Sequence, residues 1–124
     1  MKAFSDLEQS KKLAEILPIE SADMYWWSSG KRYYIEAMDD GDFNEKEGHI
    51  RAWSLAALIN IIPQELFDGE YIINITEGID NKWIITYDHY ENRNHSFYGL
   101  SAGADNLVDT CTNIIIKLKE RNII

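Results

Sequence analysis

The sequence is poor in the residues that cross-link a chain or anchor it to a membrane. With a single cysteine, Cys111, it cannot form an intrachain disulfide, and a reducing compartment is the natural inference. No apolar stretch reaches the roughly 18 residues that a membrane span requires. The first residues place no apolar segment behind Lys2, as a secretory signal would. These absences predict a cytoplasmic protein without membrane contact.

Positive charge is also scarce. The chain has 12 basic and 21 acidic residues, which gives a formal net charge of −9. That balance argues against direct binding of nucleic acid, which needs a basic footprint, and against a polybasic membrane anchor. An acidic surface favours solubility and basic partners. One alternative is mimicry of nucleic acid, in which clustered carboxylates imitate phosphates and occupy a DNA-binding host protein.

Motifs of enzyme chemistry are missing as well. The sequence contains no GxSxG, P-loop, Rossmann glycine pattern, CxxC or HExxH. An acidic loop counted from Asp40 resembles a calcium loop, but Glu45 replaces its turn glycine and Arg51 its bidentate glutamate. His89 and His95, with Asp88, make at most an incomplete zinc site. No catalytic residue, metal site or cofactor is therefore predicted.

What the sequence does contain is a single-domain α+β pattern over residues 1–124, of which 45% are hydrophobic. A capping box of Ser5 and Glu8 begins a first helix that Pro18 ends. Ser54 caps a second helix over 55–62. Asp105 caps a last helix whose apolar residues recur at helical spacing. These are Leu107, Val108, Cys111, Ile114, Ile115 and Leu118.

Two blocks of strands lie between these helices. Residues 24–27 and 31–38 form a hairpin, joined by a three-residue loop in which Gly30 supplies a positive φ. Residues 70–76, 82–87 and 95–100 form a meander. The predicted order is α-β-β-α-β-β-β-α. It implies one antiparallel sheet of about five strands with the helices packed on one face.

The hairpin is the most informative feature after the charge. Because side chains alternate along a strand, at least one large aromatic residue of each strand faces outward unless helices or loops cover both faces. The predicted contact surface for a protein partner consists of Tyr25, Trp26, Trp27, Tyr33 and Tyr34. The predicted acidic rim beside it consists of Asp39, Asp40, Asp42, Glu45 and Glu47.

Two other hypotheses remain open at this stage. A small-ligand binder or enzyme would have a pocket between sheet and helices, with Trp83, Tyr87, His89, His95 and Tyr98 as candidates for its lining. In a homodimer, the aromatic hairpin would be the interface between two copies. The predicted function is a non-enzymatic accessory protein that acts by protein–protein contact.

Three stretches carry a resemblance that covers most of the chain. Residues 17–26 (LPIESADMYW), 52–58 (AWSLAAL) followed by Pro63, and 104–109 (ADNLVD) are similar to those of a family of small, acidic, uncharacterised proteins. That family is encoded by phages, prophages and mobile elements of anaerobic gut bacteria. The resemblance implies an accessory role inside a bacterial cell, and it implies no particular chemistry.

Overall fold

The computed structural model describes residues 2–38 and 41–124. Within them the chain forms three α-helices and seven strands, and every strand pair is antiparallel. The predicted α+β class is confirmed, but the strands divide between two sheets, ordered β2-β1-β3 and β4-β5-β6-β7. The elements are α1 (Leu7–Ile16), β1 (Met24–Ser29), β2 (Arg32–Ala37), β3 (Ile50–Ala52), α2 (Leu55–Ile61), β4 (Glu65–Leu66), β5 (Tyr71–Glu77), β6 (Trp83–His89), β7 (Ala102–Ala104) and α3 (Leu107–Glu120).

Helix α1 begins one residue later than the sequence predicts. Asp6, not Ser5, is the N-cap, and its capping partner is Gln9 instead of Glu8. Aspartate caps a helix as well as serine does, so local sequence does not separate the two registers. Burial separates them, because Ser5 is fully buried and its hydroxyl is hydrogen-bonded to the Trp53 amide and the Ser10 hydroxyl, so it does not cap the helix. The predicted end of α1 before Pro18 is confirmed.

The hairpin of β1 and β2 closes through a shorter turn than predicted. Ser29 pairs with Arg32, which leaves Gly30 and Lys31 as a two-residue connection in place of the three-residue loop. Gly30 has φ of 66°, so its predicted positive φ is confirmed. A glycine adopts this conformation without the steric cost that a Cβ would impose.

The second sheet differs from the predicted meander at its third strand. Residues 95–100 do not form one strand: Ser96 bridges Asp88, and the chain then turns at Gly99, whose φ is 75°. Pairing with β6 resumes at β7. The short strand β4 is absent from the prediction, although Asp68-Gly69 after it is a recognised hairpin signal. The cap of α3 is Asn106, one residue beyond the predicted Asp105.

One cluster of buried side chains joins the helices to the second sheet and to Trp53, which directly follows β3 of the first sheet. The predicted apolar face of α3 supplies much of it, with Val108, Cys111 and Ile114 fully buried. Trp53, between β3 and α2, is also fully buried and is the largest such side chain. Within the described residues no helix is both long enough and apolar enough to cross a membrane.

The N-terminal segment is bonded directly to Trp53. The amide of Ser5 donates to the Trp53 carbonyl at 2.8 Å, and the Trp53 amide donates to the Ser5 hydroxyl at 3.0 Å. The same hydroxyl lies 2.7 Å from that of Ser10 in α1. Both serines are fully buried, so these bonds replace contacts with water. The junction of Ser5 and Trp53 therefore ties α1 to the end of β3.

Replacing Ser5 by alanine tests this junction. The Ser5→Ala change leaves the buried Trp53 amide without its hydroxyl acceptor, so we expect the free energy of unfolding to fall by about 1–3 kcal/mol. Urea titration measures it as a lower midpoint at an unchanged slope. Ser101→Ala, at an exposed position, is the matched control and should change stability by less than about 0.5 kcal/mol. Equal stability of the two variants would contradict the role of the junction.

A second polar contact links the start of α1 to α3. The Lys2 ammonium lies 2.7 Å from Asp109 and 2.9 Å from Asp6. Burial opposes ionisation of Asp109, but hydrogen bonds from Lys2, Gln9 and Asn106 outweigh it and lower its pKa. The pKa of Asp6 is lowered for similar reasons, and burial of Lys2 is outweighed by its two carboxylates, which raise its pKa.

These shifts predict a pH-dependent contribution to stability. A carboxyl group with a lowered pKa stabilises the fold above its unfolded value and loses that contribution as the pH falls through the folded value. We therefore expect Asp109→Asn to be less stable than wild type at neutral pH, and the difference to shrink below pH 3.8, the usual pKa of aspartate. Urea titrations across this range measure it, with Asp68→Asn as the control for losing one charge. A difference that stays constant down to the acid limit would contradict the assignment.

Candidate functional site

The β1–β2 hairpin lies at one border of the three-stranded sheet. Strand β1 is central and pairs with β2 along its whole length. Strand β3 pairs only with residues 24–26, which we call the inner half of β1, and β2 forms the opposite border of the sheet as its outer strand. The pairing of Trp26 with Ile35 and of Trp27 with Tyr34 fixes which side chains share a face. We call the two sides the Trp26 face, which also holds Tyr33 and Ile35, and the Trp27 face, which also holds Tyr25 and Tyr34.

Tyr25 does not belong to an exposed surface. Its exposed fraction is 2%. Phe43 and His49 cover this part of the Trp27 face: Tyr25 stacks on His49 at 5.0 Å and meets the edge of Phe43 at 5.6 Å between ring centroids. Tyr25 is predicted to belong to the contact surface, but a loop covers it, so it is not available to a partner.

Trp26 is half-buried on the opposite face. Its indole Nε1 donates to the Ser5 carbonyl at 3.2 Å, and its ring meets that of Phe4 edge-on at 5.7 Å. The N-terminal segment therefore covers this residue. Trp26 connects the hairpin to the junction of Ser5 and Trp53, and its surroundings are those of a structural side chain.

The outer strand presents the remaining predicted aromatics. Tyr33 and Tyr34 are 47% and 41% exposed. Tyr34 stacks on Trp27 with ring centroids 4.8 Å apart, and the Trp27 Nε1 is buried without a hydrogen-bond partner among the described residues. The structure therefore brings Trp27, Tyr33 and Tyr34 together at the free border of the sheet. They lie on both of its faces instead of forming one flat patch.

The acidic rim is held to the sheet by positive and polar groups. Glu45 accepts from Arg51 Nε at 2.9 Å, and Arg51 also donates to the carbonyl of Leu17. Glu47 lies 3.8 Å from His49 Nε2. Asp42 is exposed, and Asp39 and Asp40 lie outside the described residues. Part of the negative charge of this loop is thus compensated within the chain.

The residues predicted to line a ligand pocket do not converge. The Tyr87 ring is buried, its hydroxyl donates to the Pro63 carbonyl at 2.6 Å, and burial raises its pKa. Tyr98 is 92% exposed. His89 and His95 do lie close, with ring centroids 6.4 Å apart, as the turn between them predicts. Trp83 borders a cavity at the start of α3 that none of the other four residues lines.

Asp88, the third member of the incomplete zinc site, is engaged elsewhere. Its carboxylate accepts from the Ser96 hydroxyl at 2.7 Å and from the Asn74 amide at 3.0 Å. His89 Nδ1 accepts from the Glu91 amide at 3.2 Å. Over residues 2–38 and 41–124, no group of three or more histidine, cysteine or acidic side chains is arranged to hold a metal ion.

An open cleft of about 530 Å³, which the sequence does not predict, lies between β4 and the end of α3. Phe67 and Phe97 line it, and the Arg121 guanidinium lies 5.5 Å above the Phe97 ring. Phe67 has φ of 54°, in the left-handed region. The Asp68-Gly69 turn signal could have located this border of the second sheet. The packing of Arg121 on Phe97 has no sequence signal, because it depends on the position of the C-terminal residues.

Cys111 is fully buried on the apolar face of α3, as predicted. Burial raises the pKa of its thiol to about 11. The reactive thiolate is therefore scarce near neutral pH. Its surroundings are those of a small hydrophobic side chain and not of a nucleophile.

Thiol labelling tests this description. We expect Cys111 to react with a thiol reagent at about pH 8 only through unfolding, so that labelling of the native protein is slower by orders of magnitude than labelling in concentrated urea. The time course is followed by mass spectrometry. A native rate equal to the rate in urea would show that the thiol is accessible.

The comparisons give the chain no relatives from which a role can be transferred. No protein-family model, no curated protein and no solved structure matches it significantly.

Proposed function

We propose that the protein is a non-enzymatic binding protein that acts by contacting another protein through its β1–β2 hairpin. The observation that carries the proposal is the outer strand β2, which leaves one border of the sheet unpaired among the described residues and bears Tyr33 and Tyr34. Tyrosine is enriched among the residues that contribute most to protein–protein binding energy. An unpaired strand also offers backbone groups to a partner.

The contact surface in this proposal is smaller than the sequence suggests. It consists of Tyr33 and Tyr34, supported by Trp27, while Tyr25 and Trp26 hold the hairpin in place. A contact residue on a rigid support loses less conformational entropy on binding than one on a flexible loop. The stack of Tyr34 on Trp27 supplies that support on one face.

The acidic rim gives the proposal its electrostatic part. Asp39, Asp40, Asp42, Glu45 and Glu47 follow directly after β2 in the chain. A partner with a basic surface next to its contact site would gain in association rate from this loop. Because Arg51 pairs with Glu45, part of the negative charge of the rim is compensated within the chain.

The cellular setting is part of the same proposal. We propose an accessory role in the cytoplasm of a bacterial host, which is the context that the resemblance of residues 17–26, 52–58 and 104–109 implies. Nucleic-acid mimicry gains no specific support, because acidic side chains lie on α1, on both sheets and on α3, and several of them are bonded to cations or amides.

Capture and binding assays test the proposal. We expect wild type to retain a protein from a lysate of the source cell, and purified Tyr33→Ser/Tyr34→Ser protein to bind that partner at least about tenfold more weakly. Tyr90→Ser/Tyr98→Ser, which removes two exposed tyrosines around the second sheet, is the matched control and should bind as wild type does. Circular dichroism checks that both variants fold.

Two results would contradict the proposal. One is a wild-type protein that retains no partner. The other is a hairpin variant that binds the purified partner with the same dissociation constant as the control.

A further inference from the structure

The outer border of β2 has a defined set of unused backbone groups. In an antiparallel pair, every second residue exchanges hydrogen bonds with its neighbour and the residues between them point the other way. The Met38 amide donates to the Asp23 carbonyl at 3.0 Å, which fixes this alternation for the hairpin. The residues of β2 whose backbone groups point away from β1 are therefore Tyr33, Ile35 and Ala37.

We infer that a second copy of this chain pairs with this border, β2 against β2, around a two-fold axis at Tyr34. The inference uses the same hairpin as the proposed function, so a second copy and another protein compete for the border of β2. The two three-stranded sheets then join into one sheet of six strands. An isologous contact of this kind closes after two copies and does not propagate into a filament.

The backbone alternation limits the registers that are possible. With Tyr34 on the axis, Tyr33 of one copy lies opposite Ile35 of the other, and both of these residues point their backbone groups outward. The two symmetry-related pairs then form about four N–H···O bonds. Sliding one strand by a single residue would pair Tyr34 with Ile35, which sets inward-facing backbone groups against outward-facing ones. That register is therefore excluded.

Charge selects among the remaining registers. With Tyr34 on the axis, Arg32 of each copy lies directly opposite Glu36 of the other, so the symmetry produces two cross-strand pairs of opposite charge. Moving the axis to Ile35 would place Glu36 opposite Tyr34 and lose both pairs. The sequence of β2 is therefore complementary to itself in one register.

The aromatic side chains fit the same arrangement. Residues on the axis form a pair without mutual hydrogen bonds, in which the side chains approach most closely. The two Tyr34 rings meet there, each already stacked on its own Trp27 at 4.8 Å. Exposed aromatic area on the Trp27 face is thereby buried at the centre of the contact.

The overall charge sets the conditions for the test. Two copies with a net charge of −9 repel each other at low ionic strength. At about 0.15 M salt the Debye length is roughly 8 Å. Salt at this concentration screens the long-range repulsion between the two copies more strongly than it weakens the attraction between Arg32 and Glu36 in contact. Self-association is therefore measured at physiological salt.

Charge reversal on β2 tests the register directly. Arg32→Glu places two acidic groups opposite each other at both ends of the contact, and Glu36→Arg places two basic groups there. We expect either variant alone to dimerise with a dissociation constant raised roughly tenfold or more. An equimolar mixture of the two restores opposite charges at both ends, and should recover a wild-type-like dimer by sedimentation velocity.

Lys31→Glu is the matched control, because it makes the same change of charge one residue away and lies opposite Ala37 in this register. It should dimerise within about threefold of wild type. Ile35→Pro removes one outward-facing amide and should be a folded monomer. A monomeric wild type at high concentration, or a mixture that recovers no dimer, would overturn the inference.

The same proteins separate this inference from the proposed function. A monomeric wild type that still binds another protein through Tyr33 and Tyr34 would contradict the pairing of two copies but would support the proposed function. A dimer with the predicted response to charge reversal that binds no other protein would support the second copy and remove the proposed function.

Discussion

The fold depends on the buried junction between the N-terminal segment and Trp53. Ser5 exchanges backbone and side-chain hydrogen bonds with Trp53, and its hydroxyl also meets Ser10 of α1. The carbonyl of Ser5 accepts a hydrogen bond from the Trp26 indole N–H. One short segment thus fixes a helix, the central strand of the first sheet and the strand beside it. Buried polar groups tolerate few arrangements, so this junction specifies how these elements meet.

That constraint decides which part of the hairpin is free. Trp26 is held by the N-terminal segment, and Tyr25 lies under the loop that carries Phe43 and His49. The inner half of β1 is therefore covered on both faces. Strand β2, one step further from β3, extends beyond this cover and keeps its tyrosines exposed. A rigid base and an uncovered outer strand follow from the same packing.

Local patterns predicted the elements better than their arrangement. The apolar spacing of α3 and the Ser54 cap of α2 are local signals, and both are confirmed. The caps of α1 and α3 are each displaced by one residue, because neighbouring polar residues cap equally well. At α1, the burial of Ser5 decides between them. The division into two sheets has no local signal. It arises because β3 returns to β1 on the side opposite β2, which alternating composition does not encode.

The candidate site follows the same rule. Aromatic content pointed to the hairpin, but the choice among its residues came from tertiary structure. The loop with Phe43 and His49 buries Tyr25, and the outer position of β2 leaves Tyr33 and Tyr34 exposed. One property of the site was nevertheless present in the sequence. A strand that pairs with its own copy around a two-fold axis always sets the second residue before the axis opposite the second residue after it. Opposite charges at those positions, Arg32 and Glu36, attract in the pair, whereas like charges would have repelled.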